Sequence, residues 1–527
     1  MAAKYTCGRS LRWLLAFILV GLIVLPLWSL FSSAADVDFL RILQGRQFSR
    51  ALWNSITVSS FSACLSLLIG GILAWGYVRT TMPCKKFFSV LIVLPMLIPS
   101  ISHGMGLITL FGGNGLLSGL FGIKGGIYGF WGIVVGSVLY SFPVAFLMIA
   151  DILHYEDRTP YEAARTLGIP RFNRFRILTW PYMRAPLFNV FFAVFTMIAT
   201  DYGVPLTIGG KYLTLPVLMY QNVIGLMDFA QGSVVGAILL IPAVVGFLID
   251  LTQRESTSTF VRKAMHPSDR KGFRLFALSF FSLTAACVLL PILSFAVIGF
   301  VKHYPVDMTL SAEHILQACR MNAGDYLLNS LIIAMATASL GTVLTTVSAY
   351  FASRVPGIAS RLVHFLSIIS LAVPGIVLGL GYVLFFNGTA VYGTLCILVM
   401  ANLVHFFASP YLMMYNALNK INRSLESVGE VLGINRYRLL KDVFVPMTRG
   451  TQIEMFVYFF VNSMMTISAV AFLANVETKP IALMINQFEA QMMLESVGCV
   501  SLLILAVNLL IKTLATCMQK NRGRYAS

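Results

Sequence analysis

The sequence predicts an all-α polytopic membrane protein: about 12 transmembrane helices in two parallel six-helix repeats, each with a short helical elbow on the cytosolic side. Three observations predict it. The 527 residues are 58% hydrophobic and only 11% charged, with a mean hydropathy of +0.82, too little charge to clothe a soluble protein of this length. Apolar runs of the roughly 20 residues that a helix needs to cross the hydrocarbon recur along the chain. Finally, the residue pattern of the first half returns in the second.

The runs fall at roughly 13–31, 55–78, 87–111, 128–150, 185–205, 232–252, 275–301, 325–352, 362–386, 393–417, 450–473 and 495–516. The first extends through Trp28 to Phe31 with no small-residue cleavage site inside it, so it reads as a retained helix rather than a signal peptide. Placing both termini and the loops 79–86, 151–184, 253–274, 353–361 and 418–449 inside puts 29 of the 38 Lys and Arg residues there and 8 outside. That asymmetry is the positive-inside rule, so both ends are expected in the cytosol. The net charge of +17 is therefore a topology signal; dispersed among short loops, it makes no nucleic-acid surface. Cys319 has no cysteine partner in the expected external loops, and the remaining cysteines read as packing residues or free thiols.

The repeat divides the chain into a first half, 1–252, a polar cytosolic linker, 253–274, and a second half, 275–527. Asn54, Ser55, Ala74, Arg79, Pro99, Gly104, Gly106 and Phe111 return 275 residues later as Asn329, Ser330, Ala349, Arg354, Pro374, Gly379, Gly381 and Phe386. The offset then falls to 265, because the external loop 112–127 shrinks to 387–392. An even number of spans per half inserts both copies in one direction, related by an axis along the membrane normal with the pathway between them. Pro95, Pro99, Gly104 and Gly106 interrupt the third span, and Pro374, Gly375, Gly379 and Gly381 the ninth, as kinks and close helix contacts or as flexing pathway walls.

Two cytosolic segments, 159–181 and 424–446, are too short and charged to span. In the first, Thr159-Pro160 opens a helix, Gly168 permits a sharp turn, and Arg171 to Leu178 can form a second helix before Pro181. The run Glu162-Ala163-Ala164, then Gly168, then a Pro thirteen residues on, resembles the signature of permease subunits of type I ABC importers. The likeness covers both halves and is similar to the fused double permeases of the ferric iron, thiamine, phosphonate and polyamine branch. In that family the elbow is a coupling helix that docks on an ATPase. The resemblance thus implies ATPase-coupling roles for Glu162, Ala163, Ala164, Gly168 and Arg171, and for Glu426, Gly429, Gly433 and Arg436 in the second copy. That copy departs from the pattern, with Ser427-Val428-Gly429 in place of Glu-Ala-Ala; Glu426 or Glu430 is left to supply the acid.

The stretch Asp201-Tyr202-Gly203-Val204-Pro205, ending in Gly209-Gly210, resembles a motif of polyamine-type permeases. An acid at membrane depth is costly, so Asp201 and Tyr202 are candidate pathway residues, or Asp201 caps a helix. His103 and Glu454 join them as polar residues within spans, alongside His405 and Asn189. No His, Cys and carboxylate spacing marks a metal site, and no cofactor is implied.

The chain is not expected to be an enzyme. Its one Gly-Lys pair, Gly210-Lys211, is followed by Tyr212, so it has no phosphate loop, and no catalytic triad or carboxylate pair is evident. The resemblance implies two copies of an ABC ATPase subunit, an extracytoplasmic solute-binding protein and surrounding membrane lipid as partners, in a bacterial inner membrane. The expected cargo is ferric iron or a phosphonate, with polyamine and thiamine as the other members of the branch. An ion-coupled secondary transporter is the alternative, with Asp201, Glu454 and the two histidines carrying the ions.

Overall fold

The computed structural model describes residues 2–122, 125–253, 269–304 and 306–523, with positions 263, 265 and 267 in the link. The rest of the expected linker, including its Ser/Thr run at 256–259, lies outside the described residues.

Among the described residues, eight helices are long and apolar enough to cross a bilayer, and three bent pairs raise that number to eleven. The continuous ones are Ser10–Ala35, Arg46–Arg79, Phe130–His154, Phe172–Ala199, Phe229–Ile249, Lys271–Gly299, Ala323–Arg354 and Leu494–Gln519. The bent ones are Lys85–Leu97 with Ser100–Phe111, Ile358–Ala372 with Gly375–Phe386, and Leu395–His405 with Ala408–Asn419. The expected span 450–473 differs from its prediction. Its helix, Arg449–Met465, has 17 residues and ends where Thr466 turns extended (φ −66°, ψ 133°). The next apolar residues form turns, because apolarity alone does not separate a helix from a buried turn.

The third and ninth spans bend by 101° and 112°. Each bend sits at the repeated proline, Pro99 (ψ 148°) and Pro374 (ψ 142°), which leaves the helical region and donates no backbone hydrogen bond. Beyond the bend, the repeated glycines admit a close neighbour. A Cβ on Gly106 would lie 2.8 Å from Pro291 Cβ, and one on Gly381 would lie 2.8 Å from the carbonyl oxygen of Pro26. Pro26 and Pro291 are themselves 265 residues apart. Each half therefore sends its first span across to cover the bent span of the other half. The core shows the same exchange: Leu15, Ile23 and Leu30 pack with second-half residues such as Ile376 and Leu380, whereas Ala277, Phe281 and Val288 pack with the first half. Arg12 adds a hydrogen bond to the Pro356 carbonyl at 3.1 Å, and Tyr382 one to the Leu22 carbonyl at 2.9 Å.

The repeated Asn-Ser pairs also acquire a function. Asn54 Nδ2 donates to the Leu213 carbonyl (2.8 Å) and Ser55 Oγ accepts from Leu215 N–H (2.7 Å). Asn329 and Ser330 do the same for Glu477 (2.7 Å) and Ile481 (2.8 Å). Each pair anchors the start of a short helix, Leu215–Tyr220 or Ile481–Ala490, beside the axis between the halves. One antiparallel hairpin, β1 (Val301–His303) with β2 (Asp307–Leu310), comes after the seventh span. Strands of three and four residues are too short for an alternating pattern to reveal.

Candidate functional site

Both elbows lie at one end of the bundle and share a construction. The first opens on Asp157, whose Oδ1 accepts from Thr159 N–H (3.1 Å), Thr159 Oγ1 (3.0 Å) and Lys263 N–H (3.2 Å). These bonds, the Thr159 N–H foremost, hold its carboxyl below the usual carboxylate range. The helix Thr159–Thr166, with Pro160 in its first turn, ends at Gly168 (φ +70°); the helix Ser424–Val431 ends at Gly433 (φ +66°). The left-handed turn lets Ile169 N–H reach the Ala164 carbonyl at 3.0 Å, and Ile434 N–H the Gly429 carbonyl at 2.8 Å. A one-turn helix, Arg171–Arg174 or Arg436–Leu439, then runs through a π turn, Phe175–Thr179 or Leu440–Phe444, into the next span. The backbone of Arg171 is described and its side chain is not.

The side chains break the symmetry. Ala164 and Gly429 occupy the same buried position; a Cβ on Gly429 would meet Leu439 of the second arm at 3.5 Å, an ordinary contact. Ala163 and Gly168 face solvent, as do Gly433 and Arg436. Glu162 pairs with Arg158 at 2.6 Å and stays half-exposed. In the second elbow Glu426 turns inward to Arg354 at 3.0 Å, whose guanidinium side chain is 1% exposed. Arg354 also bonds the Leu418 and Ile421 carbonyls and lies over the Phe444 ring. Its repeat mate Arg79 is buried on Glu156, which Tyr161 also contacts. Tyr161 holds the place of Glu426 in the repeat. One buried arginine per half therefore tethers each elbow through different partners. The match of Arg79 with Arg354 was the visible signal; the partners' identities were not, because Glu156 and Glu426 are not equivalent in sequence. Glu430 remains exposed, paired loosely with Arg436 at 3.4 Å.

The pathway candidates separate. Asp201 Oδ1 accepts from Ser100 Oγ (2.6 Å) and Oδ2 from Val204 N–H (3.1 Å), so both oxygens are engaged at the start of the helix Gly203–Ile208. Tyr202 is fully buried, its ring stacked on Tyr220 at 5.1 Å and 15°. Its hydroxyl reaches the Ile467 carbonyl at 3.5 Å and accepts from Asn486 Nδ2 at 3.4 Å, both in the other half. His103 is buried with Nδ1 near the Pro99 carbonyl (3.3 Å) and its ring beside Tyr140. Glu454 lies apart, exposed, near Gln519 of the last span. Asp201 and Tyr202 thus stand at the meeting of the halves, and Glu454 does not.

Two like halves, exchanged first spans, proline-bent third spans and paired elbows define a multi-pass transport permease. The chain belongs to the family described as the binding-protein-dependent transport system inner membrane component, which matches it twice, at residues 66–254 and 341–522. It is similar to a ferric transport system permease protein of Actinobacillus pleuropneumoniae, 26% identical over 474 residues, covering 84% of this chain and 67% of the relative. A putative ferric transport system permease protein of Haemophilus influenzae is 26% identical over 465 residues, with 84% and 73% covered. A thiamine transport system permease protein of Escherichia coli K12 is 25% identical over 416 residues, with 74% and 75% covered.

Proposed function

We propose that this chain forms the pathway of an importer for ferric iron, driven by two ATPase subunits docked on its elbows and loaded by a solute-binding protein at the opposite mouth. The observation that carries this reading is the pair of exposed elbows, set by the repeat at one end of the bundle and each tethered to its own half by a buried arginine. Leu167 and Phe172 on the first elbow, and Leu432 and Tyr437 at the same repeat positions on the second, leave apolar side chains exposed. An ATPase groove would cover them. The elbows then lie in the cytosol with both termini, as the Lys and Arg asymmetry indicates. Closure of the two ATPases moves the elbows together. Because each first span is clasped to the other half, that motion tilts the halves against each other rather than separating them.

The two elbows grip unequally. Glu162 and Arg165 face the first ATPase; Ser427 and Glu430 stand in their places on the second. Glu426, committed to Arg354, is unavailable, so Glu430 supplies the acid there. Ferric iron is favoured because the two relatives aligned over 84% of the chain carry ferric transport names. The test is uptake into proteoliposomes holding the full chain, its ATPase and its binding protein. Ferric citrate uptake should require ATP on the ATPase face. Uptake driven by a proton gradient without ATP overturns the reading.

A further inference from the structure

Tyr202 and Tyr220 stack with Phe472 into a three-ring column where the halves meet, at centroid distances of 5.1 and 6.1 Å. Asn486 Nδ2 donates to the Tyr202 hydroxyl at 3.4 Å, and the same amide acts on the phenol of the stacked Tyr220. The other amide atom, Asn486 Oδ1, is buried with no partner. Glu489 lies one helical turn further along Ile481–Ala490, on the same face, and is close enough to act electrostatically on Tyr220. Asp201, next to Tyr202, keeps both oxygens engaged with Ser100 and Val204, so it is not free to take part.

An amide oxygen left unpaired in a buried site loses about 1–3 kcal/mol in water contacts, and a packed column of rings has no need of it. A cation would satisfy it. The donors present are phenol, amide and carboxylate oxygens, a set that suits a hard, highly charged ion rather than a soft one. The rings touch one another, so a flat organic cation would have to force them apart before it could stack.

We propose that Tyr202, Tyr220, Asn486 and Glu489 form a transient site for a hard trivalent cation on the axis between the halves. The cation replaces the phenolic protons, which leave to water, and the site is kept weak by having Glu489 as its only free carboxylate so that cargo passes through. The inference rests on the ferric reading above and deepens it.

The full chain in nanodiscs of zwitterionic lipid, without ATPase or binding protein, is titrated with terbium(III), which emits when a coordinated tyrosine transfers its excitation. Saturable emission is expected, displaced by gallium(III) and not by thiamine. Glu489→Gln should raise the half-saturating concentration about tenfold, the equivalent of about 1.4 kcal/mol. Tyr220→Phe should dim the emission, and Asn486→Asp, which adds a carboxylate, should tighten binding. Thermal unfolding of each variant identifies any that fail to fold. Glu489→Gln and Tyr220→Phe titrating like the parent chain, or displacement by thiamine, would overturn the site. Neither outcome touches ATP-driven uptake, which is measured separately, so loss of the site leaves the importer reading standing.

Discussion

The hydroxyl of Tyr202 meets the backbone carbonyl of Ile467 at 3.5 Å, and the two are the same position of the repeat, 265 residues apart. Residues related by a two-fold axis can touch only on that axis, so it runs between them. The column Tyr202–Tyr220–Phe472 therefore stands beside that axis, where the proposed pathway would run.

Motion about this axis is testable next to it. Ser102 of the third span and Ser501 of the last share a hydrogen bond at 2.9 Å between the halves. Cysteines at both positions, with the native cysteines replaced, are within disulfide reach. Oxidation should lower uptake to background, and reduction should restore it. A cross-linked chain that transports normally would show that this contact does not move during the cycle.

The two acids of the second elbow should separate by what they affect. Glu426→Gln leaves the buried Arg354 without its charge partner, a loss of about 3 kcal/mol, at the low end for broken buried pairs because Glu426 is 24% exposed. Glu430→Gln should change thermal stability by less than about 0.5 kcal/mol and weaken ATPase association instead. Thermal unfolding and ATPase co-purification of both variants would distinguish the roles.

The exchanged first spans depend on glycine. Gly381→Ala places a methyl group 2.8 Å from the Pro26 carbonyl oxygen and should cost about 1–3 kcal/mol. Gly21→Ala, with nothing within 4 Å of the new methyl, should be neutral or slightly stabilising in its helix. Unfolding curves of the two variants in the same lipid make the comparison.

The cap of the first elbow should be insensitive to pH until strong acid. The Asp157 carboxyl is held below its usual range by its bonds to Thr159 and Lys263. It therefore supports the elbow fully above its unfolded pKa of about 4, and that support fades as pH falls through the lower folded value. The protection of the Thr159 amide against hydrogen exchange, relative to the unfolded chain at the same pH, should hold from neutral pH down to about 4 and fall below it. In Asp157→Ala, which removes the acceptor, protection should be lost at every pH, whereas Asp157→Asn should keep it without the pH dependence.

Much of the fold is legible in the sequence because the repeat supplies an internal comparison. The Asn-Ser pairs, Pro99 with Pro374, and Gly106 with Gly381 all perform the same task twice. The rest depends on contacts that spacing does not encode. The crossing of the first spans is tertiary, and Pro26 and Pro291 look like ordinary helix prolines until their glycine partners are seen. The eleventh span ends early at Thr466, whose extended backbone stops the helix among residues as apolar as those before it. Tyr220, Asn486 and Glu489 carry no signal in the sequence, since each lies in a short helix whose place beside Tyr202 only the fold reveals.

If the elbows transmit ATPase closure to the pathway, Gly168→Asp should uncouple ATP hydrolysis from import. Gly168 has φ +70° and nothing within 4 Å of an added Cβ, so the aspartate costs about 1 kcal/mol of backbone strain and meets no clash. It does place a charge on the exposed tip of the elbow. In proteoliposomes with ATPase and binding protein, the variant should insert and unfold nearly as the parent does, while the cargo imported per ATP hydrolysed falls at least about tenfold. An unchanged ratio of import to hydrolysis in a correctly inserted variant would show that the elbow does not carry the coupling.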